Sequence, residues 1–142
     1  MKYITYKKGY KYQLKEDYSV FIPELVGAIR LELVAVPFIR WDAGVLSISP
    51  GYAWDGPSGP TVDTKTFMRG SLVHDALYQL MREKVLPQQY RKLADKILYK
   101  MCREDKMMWI RAVWVYVAVR LFAGFASDPA SRKPMLFAPF KT

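Results

Sequence analysis

The chain has 142 residues, the length of one domain with a single sizeable hydrophobic core. Its 22 Lys and Arg residues outnumber 13 Asp and Glu residues, so the net charge is +9, and 51% of its residues are hydrophobic. This composition excludes a disordered tail and favours a negatively charged partner, either a nucleic acid or an anionic membrane surface. Cys102 and His74 are the single cysteine and the single histidine, which excludes an internal disulfide, a cysteine zinc cage and an HEXXH metalloprotease.

The N-terminus and the most apolar segment lack targeting signals. Residues 1–8 have no apolar stretch of the kind that a secretory signal requires. Arg111 and Arg120 interrupt the apolar segment 107–126, and each arginine would cost about 2.5–3.5 kcal/mol at the centre of a bilayer. We therefore expect no signal peptide and no transmembrane segment, and we interpret 107–126 as a buried or interfacial helix.

The first part of the chain has residue patterns typical of β-strands. Residues 38–41 and 45–48 flank Asp42-Ala43-Gly44, a pattern typical of a β-hairpin. Further strands are predicted at 18–22 and 29–36, with weaker candidates at 3–6 and 10–14. Three glycines and two prolines between positions 51 and 60 predict a loop without regular structure.

Three helices are predicted at 66–83, 87–103 and 107–125. The third is apolar nearly all round, so we expect most of it, including Trp114, to be buried. The predicted fold class is α+β, with an N-terminal antiparallel β-sheet and hairpins before a C-terminal three-helix unit that contains an antiparallel helical hairpin. We predict a single domain over 1–142, divided into a strand-rich part (1–50), a Gly/Pro loop (51–63), a helical part (64–126) and a C-terminal tail (127–142).

Polar residues are predicted to meet where the first two helices face each other. The link between these helices is short, so they should pack antiparallel, and the position numbers of facing residues should have a constant sum near 170. This rule pairs His74 with Asp95 and Tyr78 with Arg91. A carboxylate opposite an imidazole fixes its tautomer and stabilises its protonated form. Two interpretations remain open, a catalytic pair or a core histidine satisfied within a polar network.

A metal site is predicted beside this pair. Asp75 lies about 100° around the helix from His74, on the side away from the apolar face. There its carboxylate would meet the Gly/Pro loop, if that loop folds back over the helix. Calcium binds carboxylate and carbonyl oxygens, and Asp55 or Asp63 would add a second carboxylate. His74 would then be a general base beside a metal ion that holds an oxyanion.

Three motifs together resemble an uncharacterised family of small proteins from tailed bacteriophages and prophages. They are GYAWDGPSGP at 51–60, HDALY at 74–78 and Ala94-Asp95. The resemblance covers most of the chain, including the strands and the third helix, and carries no established activity. It implies a protein made in the host cytoplasm, with the virion as a second location and other phage proteins as partners.

The same motifs resemble phospholipase A2, in particular the disulfide-free type found in parvovirus capsid proteins. Those enzymes have a Gly-Pro-Gly type calcium loop, then an HDxxY helix, then an antiparallel helix with Ala-Asp. The resemblance implies that His74 takes a proton from the attacking water, that Asp95 orients His74, and that Tyr78 supports Asp95 by a hydrogen bond. It also implies a Ca²⁺ site formed by Asp75 and by loop carbonyls around Trp54, Gly56 and Ser58.

This sequence differs from the parvovirus pattern at Ser58, where that loop has a glycine, and the lipase fold has no counterpart of the N-terminal sheet.

Two functions remain open. One is a calcium-dependent, phospholipase A2-like ester hydrolase at an anionic phospholipid surface. The other is a non-catalytic phage protein, either structural (virion or tail) or lysis-associated, in which the same residues form a hydrogen-bond network. Nucleic-acid binding is disfavoured because the basic residues are dispersed and no phosphate-binding loop is present. In the non-catalytic phage protein, the hydrogen-bond network would contain Asp55, Ser58, His74, Asp75, Tyr78 and Asp95.

Overall fold

The structure, a computed structural model, describes residues 3–4, 6–7, 12–29, 33–54 and 65–122. Within these ranges, antiparallel strands in two sheets precede three α-helices, which confirms the predicted α+β class. The strands are β1 (Tyr6–Lys7), β2 (Tyr12–Leu14), β3 (Tyr18–Phe21), β4 (Leu33–Val36), β5 (Ile39–Asp42), β6 (Val45–Ile48) and β7 (Ala53–Trp54). The helices are α1 (Lys65–Arg82), α2 (Arg91–Glu104) and α3 (Trp109–Phe122).

Both sheets are antiparallel, with strand orders β1-β2-β7 and β3-β6-β5-β4. The predicted hairpin is formed by β5 and β6, and Asp42 lies opposite Val45 in its register. Ala43 and Gly44 close it with φ angles of 46° and 98°. Positive φ at both central residues matches the right-handed twist of the flanking strands, which explains the glycine.

The prediction of an irregular loop over 51–63 is wrong at its start. Ala53 and Trp54 form β7, which pairs with Gln13 and Tyr12 of β2. The alternating glycines and prolines that exclude regular structure begin only at Gly56, so they leave these two residues free to pair. Gly51 and Tyr52 are irregular, as predicted, and the remaining residues 55–63 lie outside the described residues.

Each helix of the antiparallel α1–α2 hairpin ends in a C-terminal capping motif. Val85 donates its backbone N–H to the Leu80 carbonyl at 2.9 Å, and Lys84 donates to the Met81 carbonyl at 3.0 Å. This is a Schellman motif, and Lys84 occupies its left-handed position with a φ of 61°. The end of α2 repeats the motif, with Lys106 at a φ of 72°, Met107 bonded to Cys102 at 2.9 Å, and Lys106 bonded to Arg103 at 3.0 Å.

Gly70 of α1 lies directly against α2. A Cβ atom at this position would be 3.0 Å from the Cδ1 of Leu98 and 3.3 Å from the Sγ of Cys102. Both distances are tighter than ordinary van der Waals contact. The missing side chain at Gly70 therefore allows the two helix backbones to come together.

The largest buried cluster joins both sheets to α1 and α2. Trp41 of β5 and Trp54 of β7 are almost fully buried in it, together with Leu72, Leu77 and Leu80 of α1. A second, smaller cluster joins the start of α1 to α2 and α3. It contains Phe67, Leu98, Cys102, Met107, Ala112 and Val115.

The expectation that α3 is mostly buried is wrong. Ala112 and Val115 are buried against α2, but the opposite side of the helix is exposed, and so is Trp114, which we expected in the core. Of the helices, α2 alone packs closely on α3, and one neighbour covers only one side. No helix in the described part of the chain combines the length and hydropathy needed to cross a membrane.

Candidate active site

The predicted contact between His74 and Asp95 is present. The Nε2 of His74, on α1, lies 2.7 Å from the Oδ1 of Asp95, on α2. His74 is 6% exposed and Asp95 is completely buried. The contact forms because α1 and α2 are antiparallel and the two residues are at equivalent distances from the link.

Tyr78 completes the arrangement that the phospholipase A2 resemblance implies. Its hydroxyl donates a hydrogen bond to the same Oδ1 of Asp95, at 2.5 Å. Its ring packs on the imidazole of His74 with centroids 4.1 Å apart. Burial and the neighbouring Asp95 raise the pKa of Tyr78 well above its ordinary value, so its hydroxyl stays protonated and remains a donor.

Two arginines extend this network to α3. Arg120 donates from Nη1 to the Oδ2 of Asp95 at 2.9 Å. Arg91 lies beside Tyr78, as predicted, with its Nε 3.2 Å from the tyrosine hydroxyl. The Nη2 of Arg91 also donates to the backbone carbonyls of Val119 at 3.0 Å and Arg120 at 2.8 Å. The candidate site therefore joins all three helices.

Asp95 is a carboxylate at neutral pH despite its burial. Burial by itself raises the pKa of an acid, but hydrogen bonds from His74, Tyr78 and Arg120 favour the charged form. The second effect prevails, and the pKa of Asp95 lies below its ordinary value. A fixed negative charge beside the imidazole stabilises any imidazolium that forms on His74.

The remaining ring nitrogen of His74 is suited to accept a proton. The bond to the carboxylate of Asp95 assigns the hydrogen to Nε2, which leaves the lone pair on Nδ1. Nδ1 forms no hydrogen bond with another residue in the described ranges. This is the arrangement that a general base requires.

The predicted calcium ligands fall into two groups. Asp75 is half-buried and follows His74 on α1, while Trp54 ends β7 with its side chain buried. The Nε1 of Trp54 donates to the Oγ of Ser71 at 3.1 Å, which fixes the start of the Gly/Pro loop against α1, one helical turn before Asp75. Within the ranges that the structure describes, no three His, Cys, Asp or Glu side chains form a group that would hold a metal ion. The other predicted ligands, Asp55, Gly56, Ser58 and the alternative Asp63, lie outside those ranges.

A second buried polar cluster escaped sequence reasoning. Arg69 of α1 is 7% exposed, and its Nη1 donates to the hydroxyl of Tyr18 on β3 at 2.9 Å. Its Nε and Nη2 contact Asp105 and Glu104, each at 3.0 Å. The rule that pairs His74 with Asp95 places Arg69 opposite positions 100 and 101, about one helical turn before Glu104, so it did not identify this cluster. All three guanidinium nitrogens have partners, and we interpret the cluster as structural.

Comparisons with known proteins add no relative: no family model matches the chain, and neither a curated protein nor a solved structure matches it.

Proposed function

We propose that this protein is a calcium-dependent ester hydrolase of the phospholipase A2 type, with His74 as its general base. The observation that carries the proposal is the buried His74–Asp95 pair, in which Nε2 contacts Asp95 and Nδ1 has no hydrogen-bond partner among the described residues. Tyr78 supports the proposal because it bonds the same carboxylate oxygen. The motif resemblance supports a phage origin, with the host cytoplasm or the virion as location.

In the proposed reaction, Nδ1 of His74 takes a proton from water while the water oxygen attacks the carbonyl carbon of an sn-2 ester. Asp95 stabilises the resulting imidazolium, because its charge lies 2.7 Å from Nε2. The imidazolium then returns the proton to the leaving alcohol oxygen as the carbon–oxygen bond breaks, which leaves a fatty acid and a lysophospholipid.

Ca²⁺ would be held by Asp75 and by backbone carbonyls of the loop, with Asp55 as a further carboxylate. Bound there, it would supply positive charge that stabilises the oxyanion of the tetrahedral intermediate. The backbone ligands would come from Trp54, Gly56 and Ser58. The bond from Trp54 to Ser71 supports the assignment, because Ser71 lies one helical turn before Asp75 on α1.

The proposed substrate surface is an anionic phospholipid bilayer. The net charge of +9 would concentrate the protein at such a surface, and the effect would weaken as salt screens it. The charge does not by itself select a head group.

The test measures fatty-acid release from phosphatidylglycerol vesicles, with calcium and with a chelator. We expect release only with calcium, and none from His74→Gln in spite of an intact fold. We expect Asp75→Asn to need more calcium, and we expect Gln79→Ala, a half-buried position on the same helix outside the network, to match the parent. Equal release by parent and His74→Gln, or release that ignores the chelator, would reject the proposal.

A second candidate is a non-catalytic phage structural or accessory protein that binds other phage proteins. It is favoured by Arg91 and Arg120, since they extend the network to α3, which a general base alone does not need. This candidate predicts that His74→Gln, Asp75→Asn and Asp95→Asn each lower the melting temperature, and that the parent binds no calcium. Calcium binding with an undiminished melting temperature for His74→Gln would exclude it.

A further inference from the structure

The side of α3 that faces away from α2 is apolar and exposed. We propose that this surface, called the α3 face here, binds anionic phospholipid bilayers. Its side chains are between 40% and 69% exposed. The α3 face consists of Trp109, Ile110, Val113, Trp114, Val117 and Leu121.

The α3 face has the geometry of a helix that lies in the plane of a membrane surface. Its six residues fall within an arc of about 140° when each residue advances by about 100°. Arg120 falls near one edge of the same arc, but its guanidinium is bonded to Asp95 of α2. The 14 residues of α3 measure about 21 Å at 1.5 Å per residue, and the helix is too short to cross a bilayer. A helix that exposes a mostly apolar side and is too short to span a bilayer enters the boundary between head groups and acyl chains.

The charge around the α3 face selects an anionic lipid surface over a second copy of the chain. Residues 106–122 contain no Asp or Glu, and their basic residues are Lys106, Arg111 and Arg120, of which Arg120 is already paired with Asp95 of α2. Two copies meeting through this helix would bring like charges together, within chains that each carry +9. Anionic head groups would instead attract the net positive charge of the chain while the apolar side chains leave water.

The tryptophans divide into two classes that suit this role. Trp41 and Trp54 are each 2% exposed in the core, whereas Trp109 and Trp114 lie on the α3 face. An indole combines a large apolar ring with one N–H donor, so it favours the boundary between lipid and water. The exposed pair therefore anchors the helix at the depth of the head groups.

The α3 face is physically connected to the candidate active site. Arg120, in the last turn of α3, contacts the Oδ2 of Asp95 at 2.9 Å. A bilayer bound to the α3 face would thus contact the same helix that supplies a partner of Asp95. The purpose of this binding rests on the proposed hydrolase, whereas the binding itself is measurable without any reaction.

The experiment uses full-length His74→Gln, which would bind lipid without consuming it. Its partition into phosphatidylcholine vesicles with and without phosphatidylglycerol is followed by co-sedimentation and by tryptophan emission. We expect binding that requires phosphatidylglycerol, weakens with salt and shifts the emission to the blue. Ile110→Ser/Trp114→Ser should bind at least about tenfold more weakly, since two apolar side chains no longer enter the lipid. Val117→Ser/Leu121→Ser provides a second variant of the same face.

Leu33→Ser is the matched control, because Leu33 on β4 is 53% exposed and lies outside α3. It should bind as tightly as its background. Equal vesicle binding by all variants would overturn the inference. It would also be overturned if the His74→Gln protein bound no vesicles but formed a dimer that is lost in both α3 double variants. Binding through α3 combined with no fatty-acid release by the parent would reject the hydrolase and keep this inference. Fatty-acid release by the parent, combined with vesicle binding that both α3 double variants leave unchanged, would reject this inference and keep the hydrolase.

Discussion

Arg120 donates a hydrogen bond to the Oδ2 of Asp95 across 2.9 Å, although the two residues belong to different helices. Asp95 is completely buried, and its other oxygen already accepts hydrogen bonds from α1. The guanidinium of Arg120 is therefore the cationic partner that allows a charged carboxylate to stay in the helical core. It also ties the position of α3 to the candidate site.

We expect Arg120→Met to lower the free energy of unfolding by about 1–3 kcal/mol, since one oxygen of a buried carboxylate loses its partner. Arg120→Lys should recover part of this loss because it keeps the charge. Lys92→Met, at an exposed position of α2, is the control and should stay within about 0.5 kcal/mol of the parent. Urea denaturation gives all four values. An Arg120→Met value equal to the control would show that the ion pair contributes nothing.

Tyr78 and Tyr18 offer a matched pair of buried hydroxyls in separate networks. Tyr78→Phe removes the bond to Asp95, and Tyr18→Phe removes the bond from Arg69. Each variant should lose about 1 kcal/mol of stability. Fatty-acid release should fall only in Tyr78→Phe, because that hydroxyl supports the carboxylate that orients His74. A parallel loss of release in both variants would mean that Tyr78 acts through stability alone.

Asp95 should make stability depend on acid pH. Its pKa is lower in the folded protein than the value of about 3.9 expected in the unfolded chain. A depressed folded pKa contributes stability above the unfolded value, and this contribution disappears as pH falls through the folded pKa. The difference in unfolding free energy between the parent and Asp95→Asn should therefore be largest near neutral pH and shrink below about pH 4. Urea melts of both proteins across this range measure it, and a constant difference would contradict the assignment of Asp95 as a buried carboxylate.

Lys84 and Lys106 occupy left-handed positions that favour glycine. Lys84→Gly and Lys106→Gly should each stabilise the protein by about 1 kcal/mol, because glycine adopts positive φ without steric strain. Lys96→Gly, in the middle of α2, is the opposite control and should destabilise by about 1 kcal/mol. Thermal melts of the three variants give the comparison. Destabilisation by all three would mean that the lysine side chains contribute more than the backbone strain costs.

Much of the fold and the core of the candidate site were predictable because they follow from local spacing. A short link forces α1 and α2 to be antiparallel, and the antiparallel register then brings His74 to Asp95 and Tyr78 to Arg91. The β5–β6 hairpin follows equally from its turn residues. In each case the interacting groups are separated by a connection whose length restricts their geometry.

The role of Arg120 and the exposure of Trp114 were not predictable in this way. A helix that is apolar nearly all round has no period that identifies its core side, so the sequence of α3 does not say which residues face α2. Which α3 residue reaches Asp95 depends on which side of α3 faces α2. Arg69 was missed for a different reason, since buried arginines are rare and an exposed side chain is the usual interpretation.

Gly70 has no side chain, yet it governs how far apart the imidazole and the carboxylate are. It lies one helical turn before His74 on α1, and its close neighbour Leu98 lies three residues after Asp95 on α2. A branched side chain at position 70 would push the two helices apart at this point and lengthen the 2.7 Å contact between Nε2 and Oδ1. We expect Gly70→Val to lose the His74–Asp95 hydrogen bond, visible as a changed imidazole proton resonance, even though no polar atom is altered. The distance between the α1 and α2 backbones therefore partly determines which substitutions the site tolerates.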